Sequence, residues 1–170
     1  MTTTSTTGTT RTPLPDTEQF CATMAQLATG VAVVTTVGPD GPVGCTANAL
    51  LSLSTEPPSV LVSLASAGRT VRHARDHGRF AVNILSWQQR DLMDRFARMP
   101  AAERFQGVAH HDEEGCPVLE GTAATVVCRL DQAPTALDHT LLIGRALWTV
   151  QDPGARALVL YRHQQNAVTG

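Results

Sequence analysis

A series of short β-branched and apolar runs, separated by turn residues, constrains this chain more than any other feature. The run at 31–37 (VAVVTTV) is followed by a Gly-Pro-Asp-Gly turn at 38–41, and a Glu-Pro-Pro corner at 56–58 precedes the run at 59–65 (SVLVSLA). Val, Ile and Thr favour strands, while Gly, Pro and Asp favour turns. Connections this short join antiparallel strands, because parallel strands need a much longer crossover. The sequence therefore predicts an antiparallel sheet.

Three stretches have the caps and apolar spacing of helices. Asp16 is a suitable N-cap for the first helix, which Gly30 ends, and Gly78 closes the second, at 69–77. A Ser-x-x-Gln capping box opens the third helix at Ser86, before a proline breaks it at position 100. Five further runs are predicted strands, at 43–54, 79–85, 122–130, 140–150 and 156–162. About seven strands against two or three helices predict a mainly β protein, built as an antiparallel barrel.

Composition narrows the classes of protein. The Thr-rich residues 1–13 are predicted to form a disordered tail, and 14–170 one domain. A net charge of −2, with no Lys and no basic block, argues against nucleic-acid binding. No apolar run has the roughly 18 residues of a membrane span, and no secretory signal is visible, so we expect a cytoplasmic protein. The four cysteines form no C-x-x-C pair and are predicted to be reduced and mostly structural thiols.

Two glycine-containing stretches are candidate phosphate sites. At 38–44 (GPDGPVG), prolines remove two of the needed N–H donors and a strand follows, so we interpret it as a hairpin turn. At 63–70 (SLASAGRT), a strand ends and a helix begins at Arg69-Thr70, which presents N–H groups and a guanidinium to an anion. An ordinary helix start fits the same residues.

The segment Thr46-Ala47-Asn48-Ala49 is unusually small and polar for a core strand. Short side chains would let a flat heterocycle lie along the strand, with backbone N–H groups and the Asn48 amide at its edge. Tight packing against another strand, with Asn48 as a satisfied core polar group, explains the same residues.

The histidines fall into three settings. His73 and His77 share a helix face that we expect to be solvated. The stretch 110–114 (HHDEE) is predicted to be a polar loop. We assign no metal site to the helix face or to the loop. His139 differs, because Asp138 precedes it at the start of an apolar strand and could orient the imidazole toward a cavity. No nucleophile motif such as G-x-S-x-G is present, so hydrolysis is not predicted.

Taken together, these segments resemble the flavin reductase family, small NAD(P)H:flavin oxidoreductases that serve two-component flavin monooxygenases. The resemblance covers about residues 18 to 162. The matching segments are LATGVAVVTT (27–36), GCTANALLSLSTEPPSVLVSLA (44–65), the Arg69-Thr70 pair, GRFAVNIL (78–85), RFQGV (104–108), CPVLEG (116–121), DHTLLIG (138–144) and LVLYR (158–162).

The resemblance implies an FMN-binding split β-barrel of antiparallel, Greek-key-like type, usually a homodimer. It implies hydride transfer from NADH or NADPH to FMN or FAD, and supply of reduced flavin to a separate monooxygenase. His139 would lie near the nicotinamide, and Ser66, Arg69 and Thr70 would hold the flavin phosphate. The remaining flavin-binding positions it implies are Thr46, Ala47, Asn48, Ala49, Leu50, Leu51, Ser63, Leu64 and Ala65.

The chain departs from the family pattern at two places. Leu137 stands before Asp138-His139 where the family often has Gly, and 163–165 (HQQ) follows Tyr-Arg where small residues are usual. These departures concern the nicotinamide contacts and the C-terminal edge, not the flavin site. Two other functions also remain open: a flavin-binding electron-transfer module, and a split-barrel flavoprotein that acts directly on an organic substrate.

Overall fold

The computed structural model describes residues 14–168. The three helices are α1 Thr17–Met24, α2 Arg69–His77 and α3 Arg90–Arg98, with 3-10 turns at Trp87–Gln89 and Ala101–Glu103. The strands are β1 Thr29–Gly30, β2 Ala32–Gly38, β3 Gly41–Ala47, β4 Leu50–Thr55, β5 Pro58–Ala65, β6 Arg79–Ile84, β7 His110–Glu113, β8 Cys116–Leu119, β9 Ala124–Gln132, β10 Thr135–Ala136, β11 His139–Gln151, β12 Ala157–Tyr161 and β13 Gln164–Val168. The predicted tail, 1–13, lies outside the described residues.

The main sheet is antiparallel, as predicted. Its strand order is β3-β2-β6-β9-β11-β5-β4, with β10 added on β11. The predicted single strand over 43–54 is wrong, because Asn48 and Ala49 separate β3 from β4 and these strands lie at opposite edges of the sheet. The chain thus crosses from one edge to the other within two residues.

One buried cluster shows that the sheet wraps around on itself. Ala47 of β3 packs in the same cluster as Val62 and Leu64 of β5, although these strands are far apart in the strand order. Val71 and Ala74 of α2 join this cluster, so the helix fills one end of the wrapped sheet. The edge strands β3 and β4 are not hydrogen-bonded to each other, which leaves the barrel split between them.

A second buried cluster lies outside the wrapped sheet. Phe96 of α3 packs there with Val33 of β2, Leu119 of β8 and Leu158 of β12. This packing holds α3 and the β7–β8 hairpin in place. Two smaller sheets, β1-β12-β13 and β7-β8, complete the architecture.

The helix ends agree with the sequence at α2 and differ at the start of α3 and the end of α1. Gly78 ends α2 in the left-handed region (φ 74°). The capping box at Ser86 forms, but it opens the 3-10 turn at Trp87–Gln89, and α3 itself begins at Arg90. Asp16 caps α1 by accepting a hydrogen bond from the Gln19 N–H at 2.8 Å, but α1 ends at Met24 instead of near Gly30. Residues 29–30 pair with β12 as β1, and this strand pairing replaces the last helical turn.

Two predictions about histidines are wrong. The predicted polar loop 110–114 is largely strand β7, which pairs with β8 across a turn at Glu114-Gly115. His73 is 5% exposed instead of solvated, because α2 packs its side chain against the hairpin at Gly38. His77 is exposed as expected, and its Nε2 lies 2.8 Å from the Gly115 carbonyl.

All four cysteines are unpaired, as the sequence predicts. Among the described residues, 14–168, no helix has the length and apolar character needed to cross a bilayer.

Candidate functional site

The connection between β3 and β4 lines a cavity of about 540 Å³, which we call the edge cavity. Asn48 and Ala49 lie at the split, and Leu50 and Leu51 begin β4; all four line the cavity with Ser63 of β5. The Ser63 N–H donates to the Ala49 carbonyl at 2.9 Å, which ties the connection to β5. The structure therefore brings five of the predicted site residues to one cavity.

The opposite wall of the edge cavity is apolar. Phe20, Met24 and Leu27 line it from α1 and its C-terminal loop, and Leu160 lines it from β12. Phe20 is 57% exposed and Leu27 58% exposed, so these side chains present an open apolar surface. An apolar concavity with a few polar groups at one edge is typical of sites for flat organic ligands.

A second cavity of about 350 Å³, the inner cavity, lies between β3, β5 and the start of α2. Five further predicted residues line it: Thr46, Leu64, Ala65, Arg69 and Thr70. The Thr46 hydroxyl donates to the Met93 carbonyl at 2.6 Å, which fixes β3 to α3. Thr70 is 2% exposed, beside the Cys45 thiol.

Ala47 is placed differently from its predicted neighbours. It is 6% exposed and its side chain packs in the core cluster, opposite Ala32 of β2. The alternative interpretation of the small segment, tight packing within the barrel, therefore describes the Ala47 side chain. Asn48 is exposed, with its amide nitrogen 3.4 Å from the Thr29 hydroxyl.

The start of α2 has the geometry of an anion site. Gly68 is the N-cap, and no side chain of the described residues caps the first turn. Arg69 is exposed there and joins none of the ion pairs formed by residues 14–168. Uncapped N–H groups beside a guanidinium attract a phosphate through both the helix dipole and hydrogen bonds.

The Cys45 thiol in the wall of the inner cavity is uncharged. Burial raises the pKa of the Cys45 thiol, against smaller opposing effects of the Thr70 hydroxyl and Arg104. The Cys45 sulfur therefore stays protonated near neutral pH. A neutral thiol avoids the repulsion that a thiolate would exert on a bound phosphate.

His139 lies next to the same segment through strand pairing. In the β11–β5 register, His139 is opposite Ala65 and Thr140 is opposite Leu64. Asp138 Oδ1 lies 2.8 Å from His139 Nδ1, and this hydrogen bond, with a smaller backbone hydrogen bond and the His139 charge, lowers the pKa of the Asp138 carboxyl. The Ser66 N–H donates to the Asp138 carbonyl at 2.9 Å. The imidazole is thus oriented and held beside the anion site, although it lines neither cavity.

A family model described as "Flavin reductase like domain" matches residues 24–169 of this chain. The chain belongs to this flavin reductase family. The family resemblance deduced from the sequence motifs is thereby confirmed.

Individual relatives agree with the family model. The chain is 42% identical over 120 residues to a "Probable flavin reductase" of Rhizobium meliloti, covering 69% of this chain and 38% of that protein. It therefore spans less than two-fifths of that relative's length. It is 33% identical over 150 residues to HsaB, the reductase subunit of a flavin-dependent monooxygenase of Mycobacterium tuberculosis, covering 86% of this chain and 80% of HsaB.

Solved structures show the same fold. The NADH:FAD oxidoreductase SgcE6 of Streptomyces globisporus superposes with a TM-score of 0.84 at 25% identity, covering 94% of this chain and 99% of SgcE6. The predicted split-barrel fold of the flavin reductase family is confirmed.

The residues present fit a flavin. Short or apolar side chains at 48–51 border the edge cavity, where a flat ring needs a smooth surface. The uncapped start of α2 with Arg69 matches a phosphate. Strand β5 connects the two sites in this flavin reductase family member, because Ser63 lines the edge cavity and Ala65 lines the inner cavity together with Arg69.

Sequence reasoning missed Arg104 as a site residue. Its guanidinium lines the inner cavity and donates to the Gly44 carbonyl at 2.8 Å and to the Met99 carbonyl at 2.9 Å. The RFQGV segment carried the family resemblance, but nothing local in it indicates that a half-buried arginine joins α3 to β3. Arg162 and His163 also line the edge cavity, but the sequence singled out Arg162 only within the matching segment LVLYR and His163 only as a departure from the family pattern.

Proposed function

We propose that this protein is an NAD(P)H:flavin oxidoreductase that passes reduced FMN or FAD to a separate flavin-dependent monooxygenase. The observation that carries the proposal is the pairing of His139 with Ala65 in the β11–β5 register, at the segment from Ala65 to Arg69 that lines the inner cavity. The name of the relative HsaB supports a monooxygenase as the recipient, and that of SgcE6 supports NADH as the reductant.

The residues of the chain would orient two small molecules, the flavin and the nicotinamide nucleotide. A bound flavin supplies the hydride-accepting ring. Asn48 and the neighbouring backbone would bind the ring edge, and Arg69 with the α2 start would bind the phosphate. His139, held by Asp138, would position the nicotinamide ring. This positioning matters for the rate, since a misplacement of the reacting groups by about 1 Å is enough to cost about 100-fold.

We further propose a homodimer. Exposed apolar side chains on α1 and β4 (Phe20, Met24 and Leu51) line the edge cavity, and Leu53 is exposed further along β4. A second copy is the occupant that would cover them. Exposed apolar surfaces of this kind mark interaction sites more often than isolated apolar residues do.

The unpaired cysteines support a cytoplasmic location, because such thiols persist in a reducing compartment.

The test is the oxidation of NADH and of NADPH by the full chain without flavin, with FMN and with FAD. We expect oxidation that increases and saturates with added flavin. Tight flavin binding without nicotinamide oxidation would instead indicate an electron-transfer module. Oxidation that requires an organic substrate and no free flavin would indicate a flavoprotein acting on that substrate.

Replacement of His139 tests its proposed role. We expect His139→Ala to lower kcat/KM for the nicotinamide nucleotide by about tenfold to a hundredfold through loss of positioning. Flavin affinity, measured by fluorescence quenching, separates this effect from a general loss of the site. His111→Ala is the matched control, because His111 is exposed on β7. An unchanged kcat/KM in His139→Ala would contradict the role.

A further inference from the structure

A third cavity, of about 580 Å³, adjoins the inner cavity and has no part in the reaction described above. We call it the hairpin cavity, because the β2–β3 hairpin forms one of its walls. Its lining residues are Gly38, Pro39, Asp40, Gly41, Pro42, Val43, Gly44, Arg69, His73, Ala101, Ala102, Phe105, Gln106 and His110.

We propose that the hairpin cavity binds the adenosine monophosphate half of FAD, and that the protein therefore prefers FAD to FMN. The inference rests on the proposed function, since it assumes that the flavin phosphate lies at the start of α2. It identifies which of the two flavins the site takes.

The position of the cavity supports this assignment. Val43, Arg69 and Ala101 line both the inner cavity and the hairpin cavity, so the two adjoin at these residues. A dinucleotide whose first phosphate lies at Arg69 would extend its second half across this shared boundary. Each cavity falls within the range of about 300 to 1,000 Å³ that small-molecule sites occupy.

Arg69 is suited to a pyrophosphate at the boundary. Its exposed guanidinium carries five N–H donors in a planar fork, enough for oxygens of two adjacent phosphates. FMN has one phosphate, which would contact the Arg69 guanidinium only from the side of the inner cavity. The two phosphates of FAD would contact the guanidinium from the inner cavity and from the hairpin cavity.

The far wall of the hairpin cavity is aromatic. The rings of Phe105 and His110 are 5.2 Å apart and inclined at 69°, and Phe105 also packs edge-on against Phe96 at 5.0 Å. Planar bases stack on such rings, and His110 is exposed. Asp40, at the hairpin tip, adds a carboxylate, the group that commonly accepts hydrogen bonds from ribose hydroxyls.

This wall is held in place before any ligand arrives. Arg95 donates to the carbonyls of Glu103, Arg104 and Gln106, and Arg104 donates to those of Met99 and Gly44. The loop over 99–106 is therefore anchored to α3 and to β3. A site ordered in advance loses less conformational entropy on binding.

NADH also contains an adenosine diphosphate group, so a cavity that accepts the adenosine half of FAD has the chemistry to accept that of NADH. We assign the cavity to FAD because Arg69 lies where the flavin phosphate is expected. His139, beside which the nicotinamide is expected, does not line the hairpin cavity.

The test is to compare the dissociation constants of FAD and FMN, measured on the full chain by flavin fluorescence without nicotinamide nucleotide. Ala102→Trp fills the cavity, and Ala167→Trp is the matched control on β13, where the alanine is also exposed. We expect the wild-type protein to bind FAD more tightly than FMN. We expect Ala102→Trp to lower the ratio of the FMN to the FAD dissociation constant about tenfold or more, while the control leaves it unchanged.

A second pair of variants tests whether misfolding, and not loss of the adenosine site, causes a change in the FMN-to-FAD ratio. His110→Ala removes one stacking ring, whereas His110→Phe keeps a ring at the same position. We expect His110→Ala to lower the FMN-to-FAD ratio and His110→Phe to restore it.

Three results would overturn the inference. One is a wild-type protein that binds FAD no more tightly than FMN, and another is an equal loss of both affinities in Ala102→Trp. The third is a higher KM for NADH with an unchanged flavin ratio, which would assign the cavity to the nicotinamide nucleotide.

The inference and the proposed function fail separately. FMN-dependent NADH oxidation without any FAD preference would leave the reductase function intact and refute the inference. Loss of FAD preference in Ala102→Trp, in a protein that oxidises no nicotinamide nucleotide, would support the adenosine site and refute the reductase function.

Discussion

At the scale of single residues, the backbone around the candidate site carries local strain. Leu137, Arg162 and His163 adopt left-handed backbone angles (φ 56°, 49° and 62°), a region that favours glycine. Leu137 directly precedes Asp138-His139, and its side chain is fully exposed (100%). The hairpin that presents the imidazole thus keeps a conformation that its own sequence disfavours.

Relief of this strain is testable at Leu137. We expect Leu137→Gly to raise the free energy of unfolding by about 0.5 to 1 kcal/mol, because glycine adopts this angle without steric cost and no buried contact is lost. Chemical denaturation measures the change. Leu147→Gly, at an exposed position on strand β11, is the control and should destabilise. A destabilised Leu137→Gly would show that the leucine side chain contributes a contact of its own.

The Asp138–His139 pair has a consequence for pH. The hydrogen bond from His139 lowers the pKa of Asp138 below its ordinary value of 3.8, so the pair favours the folded state above that pH. This contribution is lost as the pH falls through the lowered pKa. We expect His139→Ala to return the Asp138 pKa toward 3.8, as measured by NMR titration of the carboxyl carbons.

A second carboxyl serves as the internal control for this titration. A hydrogen bond from Arg129, supported by Arg145, lowers the pKa of Asp131 elsewhere on β9. Its pKa should stay low in His139→Ala. An Asp138 pKa that does not move would mean that the hydrogen bond to His139 is not formed in solution.

At the scale of elements, buried polar and close-packed positions determine how the strands fit together. Asn83 of β6 donates to the Val33 carbonyl and to the Thr35 hydroxyl, both at 3.0 Å, and accepts from the Leu119 N–H at 2.9 Å. One buried amide thus joins β2, β6 and β8. This network explains why the β7–β8 hairpin docks on the sheet although its sequence looks like a polar loop.

Gly144 permits a close approach inside the wrapped sheet. A Cβ at this position would lie 2.5 Å from Phe80 Cζ and 2.7 Å from Cys128 Cβ, at an irregularity in the β11–β9 register. We expect Gly144→Ala to lower the free energy of unfolding by about 1 to 3 kcal/mol or more through overpacking. Chemical denaturation is again the measurement.

Gly30 provides the matched control for this substitution. A Cβ on Gly30 would meet no atom within 4 Å, so Gly30→Ala should change stability by less than about 0.5 kcal/mol. Equal effects of the two substitutions would contradict the packing argument at Gly144.

At the scale of the whole molecule, the split barrel leaves its candidate site partly open. The edge cavity has a floor from β4 and β5 and an apolar wall from α1 that itself has no buried residue. Helices of globular proteins usually bury an apolar face, and α1 does not within one chain. The dimer proposed above would bury this face.

A charge placed on the apolar surface tests the dimer. Leu53 of β4 is 44% exposed, and we expect Leu53→Glu to shift the protein toward monomer, because a buried carboxylate without a partner is costly. Light scattering after size exclusion measures the mass. Leu147→Glu, on β11 at 40% exposure, is the matched control. A monomeric wild-type protein, or a Leu53→Glu variant that remains dimeric, would contradict the proposal.

The sequence by itself determined the local elements, because caps, turns and strand-forming runs depend on neighbouring residues. It predicted α2 at its observed bounds, the capping box at Ser86 and the β2–β3 hairpin. Its motifs also identified the family. Tertiary structure alone decided features that depend on residues far apart in the chain. The split at Asn48-Ala49 exists because Ala47 packs against β5 across the barrel, and His73 is buried because α2 packs on the hairpin. The inner cavity and the hairpin cavity meet at Arg69 and β3 for the same reason: side chains distant in sequence pack together only once the sheet has wrapped.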